Sequence, residues 1–491
     1  METTENNNKF QTRIKLRIIF IVALGTFMSA LDASIVNISL PVMSKYFNVS
    51  LTTVEWVILS YLIIITSMLL TFGKLGDLYG HKKIFNIGLI VFTLGSLFCA
   101  LSPSIIILIA ARLIQAAGAG MLMSMGPAII TENTHVKDRG KSLGMIAVSV
   151  SIALILGPVA GGVLTSYFGW QSIFYINLPI GLATLIWAIS VLPASKSAER
   201  VPIDFAGAII LFFSLAAIVS PLNFADKVGW SNPYIISALA AGLALFAVFL
   251  IVENKAKYPM LDLKLFKNRL FTMANISLML NFISQFSIIL IMPFYLIDLR
   301  GFEPSKAGLI LIAAPAVVLL AAPLAGFLAD KIDTRFISSA GMLLATVGIF
   351  LISTLKADTS ITVMILYFAV IGLGLGFFQT PNNSAIMGSV QPNCRGVASS
   401  MIAAMRNLGM VLGVAISGSV FSARSDYLQK ALLAKSLNPE QIRIDSFTGA
   451  LQTTFIVAGV LSGIAIFISL VRGPLKSVSK GPQKEESKKC D

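Results

Sequence analysis

The chain has 491 residues, of which 56 % are hydrophobic and only 12 % are charged. Soluble domains carry about 25 % charged residues, so the polar side chains are too few to cover a soluble enzyme of this size, and the apolar content argues equally against a disordered chain. Three Cys and two His provide neither a disulfide framework nor a cluster for zinc or iron.

Fourteen apolar runs are long enough to cross a bilayer, since a spanning helix needs roughly 20 mostly apolar residues. Long continuous runs exclude a β-barrel, whose strands alternate. The first run lacks a small-residue cleavage site, so we expect a retained helix and not a signal peptide. The predicted spans are 17–40, 54–73, 84–101, 104–126, 142–164, 172–192, 204–222, 233–252, 270–297, 306–328, 336–355, 360–382, 397–421 and 450–471.

The distribution of Lys and Arg predicts the orientation. With the N-terminus in the cytoplasm, the inner segments hold 26 of the 37 basic residues and the outer segments hold 9, while Arg112 and Arg406 lie within spans. Basic residues concentrate on the cytoplasmic side of membrane proteins. Both termini are therefore predicted to be cytoplasmic, and the net charge of +14 reflects topology, with no nucleic acid or other acidic partner required.

An internal repeat relates the two ends of the chain. Gly73-Lys-Leu-Gly-Asp77 follows the second span and Gly326-Phe-Leu-Ala-Asp330 follows the tenth, at an offset of 253 (326 minus 73). Arg139-Gly140 opens the fifth span and Arg395-Gly396 opens the thirteenth, at an offset of 256 (395 minus 139). Parallel repeats of this kind are typical of one class of secondary transporter, with the substrate site between the halves.

The sequence thus predicts an all-α polytopic membrane protein in which two pseudo-symmetric six-helix bundles flank two inserted helices. An outer loop is expected at 422–449. The predicted divisions are a cytoplasmic head (1–16), an N-terminal bundle (17–192), two linker helices with a cytoplasmic loop (193–269), a C-terminal bundle (270–471) and a charged cytoplasmic tail (472–491).

The predicted cytoplasmic loop after the second span reads Gly73-Lys-Leu-Gly-Asp-Leu-Tyr-Gly-His-Lys-Lys83. Its glycines permit a tight turn, Asp77 can cap a helix or pair with a cation, and Lys82 and Lys83 suit an anionic membrane surface. An ordinary basic loop would look similar, but the second copy favours a functional motif.

This segment resembles the signature loop of the major facilitator superfamily. Asp77 matches the acidic position of that loop, while His81 stands where an Arg is more usual. The resemblance implies a cytoplasmic latch between helices. The latch residues it suggests are Gly73, Asp77, Gly80, Lys82, Lys83 and, in the second copy, Asp330.

The fifth span contains Gly157-Pro158-Val-Ala-Gly161-Gly162. Small residues let helices approach closely, and a proline bends a helix, so a generic packing face is one interpretation. The run also resembles the antiporter motif of drug/proton exchangers, which distinguishes exporters from importers. Ala153 departs from the usual leading glycine.

Two further stretches resemble the fourteen-helix drug:proton antiporters. Leu31-Asp32-Ala-Ser-Ile-Val-Asn37-Ile-Ser-Leu-Pro41 is similar to the first-helix motif of that family, and Trp170 to Gly181 is similar to the entry of its sixth span. With the arrangement of six, two and six spans, the resemblance covers nearly the whole chain.

Charged residues inside spans mark functional positions by default. Asp32 lies about eight residues from the outer end of span 1, and Arg112 about eight residues into span 4, so both are about 12 Å deep at 1.5 Å per residue. We expect them to share a polar layer with Gln115. Burial favours a protonated carboxyl group and a nearby arginine favours the carboxylate, so Asp32 could exchange protons; a static ion pair is the alternative.

Other polar residues are weaker candidates. Glu55 lies at the outer mouth of span 2, where it could simply be solvated, and Arg406 lies about nine residues into span 13. Arg406 could bond to backbone carbonyls or meet an anionic group of the substrate. Further residues expected in the cavity or in interhelical hydrogen bonds are Gln285, Gln379, Asn382 and Asn383.

The favoured function is a proton-coupled antiporter that exports small amphiphilic or cationic compounds from the cell across the plasma membrane. A dedicated transporter of one metabolite, peptide or anion is the alternative, and a non-transporting membrane sensor is a more remote one. We expect no enzymatic activity, no metal and no cofactor besides protons. The lipid bilayer and a small-molecule substrate are the expected partners of a monomer that uses neither ATP nor nucleic acid.

Overall fold

The computed structural model describes residues 2–135, 138–193, 205–229, 232–256, 263–329, 331–391, 394–434 and 438–473. Within these ranges the regular secondary structure is helical throughout. The first ten helices are α1 (Glu2–Phe47), α2 (Leu51–Val54), α3 (Trp56–Tyr79), α4 (His81–Ala100), α5 (Ile105–Asn133), α6 (Arg139–Phe168), α7 (Ser172–Tyr175), α8 (Asn177–Val191), α9 (Phe205–Val228) and α10 (Pro233–Lys255).

The second half of the chain begins with a 3₁₀ segment, Leu263–Lys267, and a π-helical segment, Tyr295–Leu299, follows its first long helix. The remaining helices are α11 (Arg269–Phe294), α12 (Pro304–Leu311), α13 (Ala313–Ala329), α14 (Thr334–Ser353), α15 (Ile361–Gly388), α16 (Arg395–Leu433) and α17 (Pro439–Val471).

The predicted spans are recovered as helices. Thirteen helical segments of the described residues are long and apolar enough to cross a membrane, which confirms an all-α polytopic protein. The one remaining predicted span, 204–222, which is the seventh in chain order, corresponds to α9, whose described apolar stretch Ala206–Leu222 is shorter. The division between the third and fourth spans is also correct, because the Ser104 side chain accepts a hydrogen bond from the Ile107 N–H and so caps α5.

The expected outer loop at 422–449 is wrong over most of its length. α16 continues to Leu433 and α17 already begins at Pro439. The Asn438 side chain accepts a hydrogen bond from the Glu440 N–H, and Pro439 occupies the first helical position, where its missing N–H costs nothing. Asn-Pro was therefore a start signal for a polar helical extension, which hydropathy alone does not detect.

The described helices group into two compact units. The first comprises the described parts of Met1–Ser50, Trp56–Phe212 and Glu303–Gly308. The second comprises the described parts of Leu51–Glu55, Phe213–Phe302 and Leu309–Asp491. The proposed division of the chain into head, bundles, linker and tail stays a prediction.

Both units use the same helix pairings. In the first unit α4 packs against α5 and α8, α1 against α6, and α3 against α5. In the second unit α14 packs against α15 and α17, α11 against α16, and α13 against α15. Close glycine contacts recur as well, since Gly88 lies against Gly118 and Gly341 lies against Gly374. The internal repeat of the sequence is thus a repeat of packing.

Candidate functional site

A buried ion pair lies within the first unit. Arg112 Nη1 donates to Asp32 Oδ2 at 2.5 Å, and the two side chains are 1 % and 0 % exposed. Asp32 is 17 residues from the start and 15 from the end of the apolar span Lys15–Phe47. It therefore lies farther from the end of its helix than the sequence suggested, because α1 continues through Pro41 to Phe47 instead of ending at residue 40.

Gln115 lies one turn after Arg112 on α5 and completes the pair. Its Nε2 donates to Asp32 Oδ1 at 2.8 Å, and its Oε1 accepts from Arg112 Nη1 at 2.6 Å. Gly95 on α4 makes this position possible, because a Cβ there would lie 2.6 Å from the Gln115 Cα. The structure therefore brings together the three residues of the predicted polar layer.

Two further polar side chains extend the network. Asn177 Nδ2, at the start of α8, donates to Asp32 Oδ1 at 3.2 Å. Ser96 Oγ accepts from Gln115 Nε2 at 2.8 Å and from Asn177 Nδ2 at 3.3 Å. Sequence reasoning placed Asn177 in a family-like motif without a role, and it missed Ser96, whose only signal was a hydroxyl in an apolar helix.

Arg112 is also fixed by α3. Its Nε donates to the carbonyl O of Val57 at 2.9 Å, and its guanidinium carbon lies 4.2 Å from the centroid of the Tyr61 ring. Sequence reasoning missed Tyr61, because a tyrosine in an apolar span carries no mark of a cationic neighbour. Helices α1, α3, α4, α5 and α8 thus converge on one carboxylate.

All three described donors to Asp32 bond to its carboxylate oxygens, so this group joins α1 to α5 and α8. Protonation would remove the charge that holds Arg112, in surroundings where electrostatic interactions are strong.

The Gly-Pro run of α6 makes two close contacts. On one side, Gly161 lies against α1, where a Cβ would be 2.7 Å from the carbonyl O of Ile35. On the other side, the Gly-Pro run contacts the start of α12. A Cβ on Gly162 would overlap the carbonyl O of Pro304, and a Cβ on Gly308 would overlap that of Pro158.

A backbone hydrogen bond accompanies this second contact, as the Ser305 N–H donates to Ser166 Oγ at 3.0 Å. Gly157 also packs on α1, against Ser34. The small residues of the motif therefore serve direct contact of two helix backbones, which agrees with their predicted packing role. Their role in antiport stays a prediction.

Glu55 lies between α2 and α3 and is fully buried, at 0 % exposure. The alternative that this side chain is merely solvated does not hold, and its predicted role in transport stays a prediction. Its carboxyl group rests on Gly418 of α16, where a Cβ would be 2.6 Å from the Glu55 Cδ. Burial follows from the absence of a side chain at residue 418.

The second unit contains the remaining polar candidates, Arg406, Gln285, Gln379, Asn382 and Asn383. Arg406 on α16 is half-buried, and its Nε has no hydrogen-bond partner in the described part of the chain. Gln379 Nε2 donates to Gln285 Oε1 at 3.4 Å, and Asn382 Nδ2 donates to the carbonyl O of Ala274 at 3.0 Å. Asn383 Oδ1 is buried and, like Arg406 Nε, lacks a described partner.

The latch motif forms a hydrogen-bonded connection at His81. His81 Nε2 lies 3.0 Å from Asp77 Oδ1 and its Nδ1 lies 2.7 Å from Glu132 Oε1 at the end of α5. Gly80, with φ of 90°, allows the sharp change of direction between α3 and α4. Within the first unit, therefore, His81 links α4 to α3 and α5. Gly73 has open space around its Cα.

The two lysines of the motif behave differently. Lys82 Nζ donates to the carbonyl oxygens of Ile189 at 2.9 Å and Leu192 at 2.5 Å, so it caps the end of α8. Lys83 Nζ lies 5.9 Å from the centroid of the Tyr79 ring. A positive charge at a helix C-terminus is favourable, so Lys82 is the lysine with a defined latch contact.

In the second copy of the motif, Asp330 lies outside the described residues. Near the start of α14, the next helix along the chain, lies Arg472 at the end of α17. Its Nη1 donates to Asn382 Oδ1 at 2.8 Å and its Nη2 to Thr334 Oγ1 at 3.1 Å. Burial lowers the pKa of Arg472 to about 10. Sequence reasoning placed this residue in a charged cytoplasmic tail, because it follows the last apolar run.

The chain is similar to known proteins in sequence and in fold. The sequence profile of the Major Facilitator Superfamily matches residues 22–250, 204–414 and 274–490. The riboflavin transporter RibZ of Clostridioides difficile is 35 % identical over 417 residues, which cover 84 % of this chain and 90 % of RibZ. Multidrug resistance protein Stp of Mycobacterium tuberculosis is 30 % identical over 412 residues, which cover 84 % of this chain and 76 % of Stp.

A solved structure confirms the architecture. The inward-facing, unoccupied bacterial homolog of the human lysosomal transporter Spinster superposes with a TM-score of 0.69 at 15 % identity, covering 94 % of this chain and 97 % of that one. Identity this low shows the fold alone. Together with the profile and the two relatives, it establishes that the chain belongs to the major facilitator superfamily and is a multi-pass transporter of the plasma membrane, not an enzyme.

Proposed function

We propose that this transporter is a proton-coupled antiporter that exports small amphiphilic or cationic compounds by alternating access. The observation that carries the proposal is the fully buried carboxyl group of Asp32 at the middle of an apolar span, paired with Arg112. An Asp at the centre of a span costs roughly 2.5–3.5 kcal/mol on insertion scales, so it is kept where it serves transport.

Proton binding would act on the contact between α1 and α5. As a carboxylate, Asp32 holds both Arg112 and Gln115 of α5. Once protonated, it attracts the guanidinium group far less, and α1 is released from α5. Alternating exposure of this group to the two sides of the membrane would then couple a proton to a change of helix packing.

Two further observations support export. The Gly-Pro run of α6 resembles the antiporter motif, and its residues lie in direct backbone contact with the start of α12. A relative with 30 % identity over most of its length is named a multidrug resistance protein. In this proposal both termini are cytoplasmic, protons are the only coupling ion, and the transporter works as a monomer.

The test uses purified protein in liposomes with a preset pH gradient, followed through the lumenal pH. A panel of lipophilic cations is added first, then anions and zwitterions. Dissipation of the gradient by several unrelated cations is the expected result. Asp32→Asn should abolish that exchange, because the amide cannot take up a proton but keeps the shape of the carboxyl group.

The matched control is Glu440→Gln, an acid-to-amide change at an exposed ion pair with Arg443. It should leave exchange unchanged. If Asp32→Asn exchanges protons as fast as the parent protein, Asp32 does not couple protons. If folded parent protein gives no response to any cation, the proposed export of cations is wrong.

The second candidate is a dedicated transporter of one metabolite, peptide or anion. It is favoured by the buried Nε donor of Arg406, which has no described partner, and by the riboflavin transporter among the relatives. Riboflavin and organic anions therefore belong in the liposome panel. A response to one of them alone, lost in Arg406→Met, would favour this candidate over multidrug export.

A further inference from the structure

The repeat places Glu55 at a position that the other half fills with glycine. At the offset of 253, Leu51–Glu55 corresponds to Pro304–Gly308, and at the offset of 256, Gly162 corresponds to Gly418. In both halves this short helix start packs against the fifth helix of a bundle, α12 on α6 and the Leu51–Glu55 segment on α16. The two contacts are repeat equivalents, which we call the glycine contact and the glutamate contact.

The glycine contact is made of backbone. Gly308 and Gly162 each lie against a carbonyl oxygen, of Pro158 and Pro304 respectively, and nothing in it titrates. In the glutamate contact, the nearest neighbour of the glycine is a side-chain carboxyl group instead of a backbone carbonyl oxygen. A Cβ on Gly418 would lie 2.6 Å from Glu55 Cδ and 2.8 Å from Oε1, and the glutamate is 0 % exposed.

We propose that the glutamate contact is a second proton-binding element of the transport cycle, in which Glu55 takes up a proton from the predicted outer side when the contact opens and buries it against Gly418 when the contact closes. This inference rests on the proposed proton-coupled cycle and on the predicted orientation. It adds a carboxyl group that is separate from Asp32, since Glu55 belongs to the second unit.

The physical argument concerns the cost of closure. A carboxyl group leaves water at lower cost when it carries its proton than when it is ionised. Closure therefore becomes easier as the outside pH falls, and opening becomes easier as it rises. For an exporter driven by inward proton flow, proton binding on the outside would then promote the return step that closes the outer side.

Other charged residues can shift the pH at which the glutamate contact opens, but Glu55 remains the group that binds the proton. α16 packs against the Leu51–Glu55 segment, and its charged residues nearest to Gly418 are Arg424, six residues later, and Arg406, twelve residues earlier. Beyond Arg424 follow Asp426 and Lys430 on α16, and Lys45 precedes Glu55 by ten residues near the end of α1.

The test measures the opening of the glutamate contact directly, in the absence of a substrate and of a pH gradient. Spin labels are placed at Asn48→Cys and Tyr427→Cys, both exposed positions, after Cys99, Cys394 and Cys490 have been replaced by alanine in the full-length chain. The distance distribution is recorded in lipid nanodiscs between pH 4.5 and 8.5. In the doubly labelled protein without further substitutions, the distance between the two labels should increase as the pH rises. This change should have a single pH midpoint.

Glu55→Gln should remove that midpoint and leave the short distance at every pH, because the amide is neutral and nearly isosteric. Glu440→Gln, the exposed acid-to-amide control, should keep the parental midpoint. The proposal would be overturned if the Glu55→Gln protein kept the pH midpoint of the unsubstituted protein. It would also be overturned if the label distance in the unsubstituted protein did not change with pH.

Gly418→Ala tests the contact itself. The added methyl group overlaps the Glu55 carboxyl group, so long distances should dominate at every pH. Glu55→Gly with the native Gly418 recreates the glycine contact and should give the short distance at every pH. Long distances in Glu55→Gly would contradict the assigned contact; if Gly418→Ala does not fold, Glu55→Gln still decides. Loss of antiport in liposomes with a normal Glu55 midpoint would count against the proposed function and not against this inference.

Discussion

The guanidinium carbon of Arg112 lies 4.2 Å from the centroid of the Tyr61 ring. The Tyr61 hydroxyl donates to the carbonyl O of Ser29 at 3.0 Å, one turn before Asp32. Tyr61 therefore holds the cation of the buried pair through its ring and the helix of the anion through its hydroxyl group. A cation over an aromatic face contributes about 2 kcal/mol when both are desolvated.

The two contacts of Tyr61 can be separated by substitution. Tyr61→Leu removes both, whereas Tyr61→Phe removes only the hydrogen bond to Ser29. We expect Tyr61→Leu to lower the initial rate of cation-driven proton exchange by on the order of tenfold or more, and Tyr61→Phe by about threefold or less. Equal losses in the two variants would assign the effect to the hydroxyl group instead of the ring.

Substitution of one partner of the buried pair of Asp32 and Arg112 should lower the free energy of unfolding more than substitution of both. Arg112→Met leaves Asp32 buried without its cation, which typically destabilises a protein by about 3–5 kcal/mol. In Asp32→Asn/Arg112→Met neither charge remains, so most of that loss should be recovered, although transport should not return. Thermal unfolding in detergent micelles measures the difference.

The matched control for this experiment is Arg443→Met. It breaks the pair of Arg443 with Glu440, whose side chains are 50 % and 61 % exposed, and such surface pairs contribute about 1 kcal/mol or less. If the effects of Asp32→Asn and Arg112→Met simply add, the two residues do not interact energetically as the geometry indicates.

Sequence reasoning could find the pair but not its surroundings. Charged residues in apolar spans are rare, and helix rise alone places Asp32 and Arg112 at similar depth. Ser96, Asn177 and Tyr61 carry no such mark, because serine, asparagine and tyrosine in a span also serve ordinary interhelical bonds. Their contribution depends on helix neighbours, which hydropathy does not specify.

Burial was equally beyond the sequence at two charged positions. Glu55 precedes an apolar run and Arg472 follows one, so both looked solvated. The structure buries Glu55 because residue 418 has no side chain, and it buries Arg472 because Asn382 and Thr334 accept its hydrogen bonds. A glycine or an asparagine some ninety or more residues away gives no local signal of this kind.

The glycine contact of α6 and α12 should tolerate no added methyl group. Gly162→Ala and Gly308→Ala each place a Cβ against a backbone carbonyl oxygen that cannot move independently of its helix. We expect both variants to lose closure of this contact, seen as faster labelling of a cysteine introduced at Ser166, and to exchange protons poorly. Ser166 is suitable because its Oγ accepts the Ser305 N–H within the contact.

Gly144→Ala is the control within the same helix. Nothing lies within 4 Å of a Cβ at that position, and alanine is favoured over glycine in a helix by about 1 kcal/mol. It should therefore leave labelling and exchange at parental values. Slow, parental labelling at Ser166→Cys in the Gly162→Ala protein would show that the contact of α6 and α12 accommodates the added methyl group, against this prediction.

The adjacent lysines of the latch motif allow a specific hydrogen bond to be distinguished from a general effect of positive charge. Lys82 bonds to two carbonyl oxygens at the end of α8, whereas Lys83 lies 5.9 Å from the centroid of the Tyr79 ring. Hydrogen bonds from a charged donor contribute about 1.5–3 kcal/mol, so Lys82→Met should lower thermal stability by that order and uncouple α4 from α8. Lys83→Met, which removes the same charge one residue later, should have little effect on either. Hydrogen exchange of the backbone amides in the last turn of α8 measures the local change. Equal protection of these amides in the two variants would mean that the motif acts through its net charge at the membrane surface and not through the hydrogen bonds to α8.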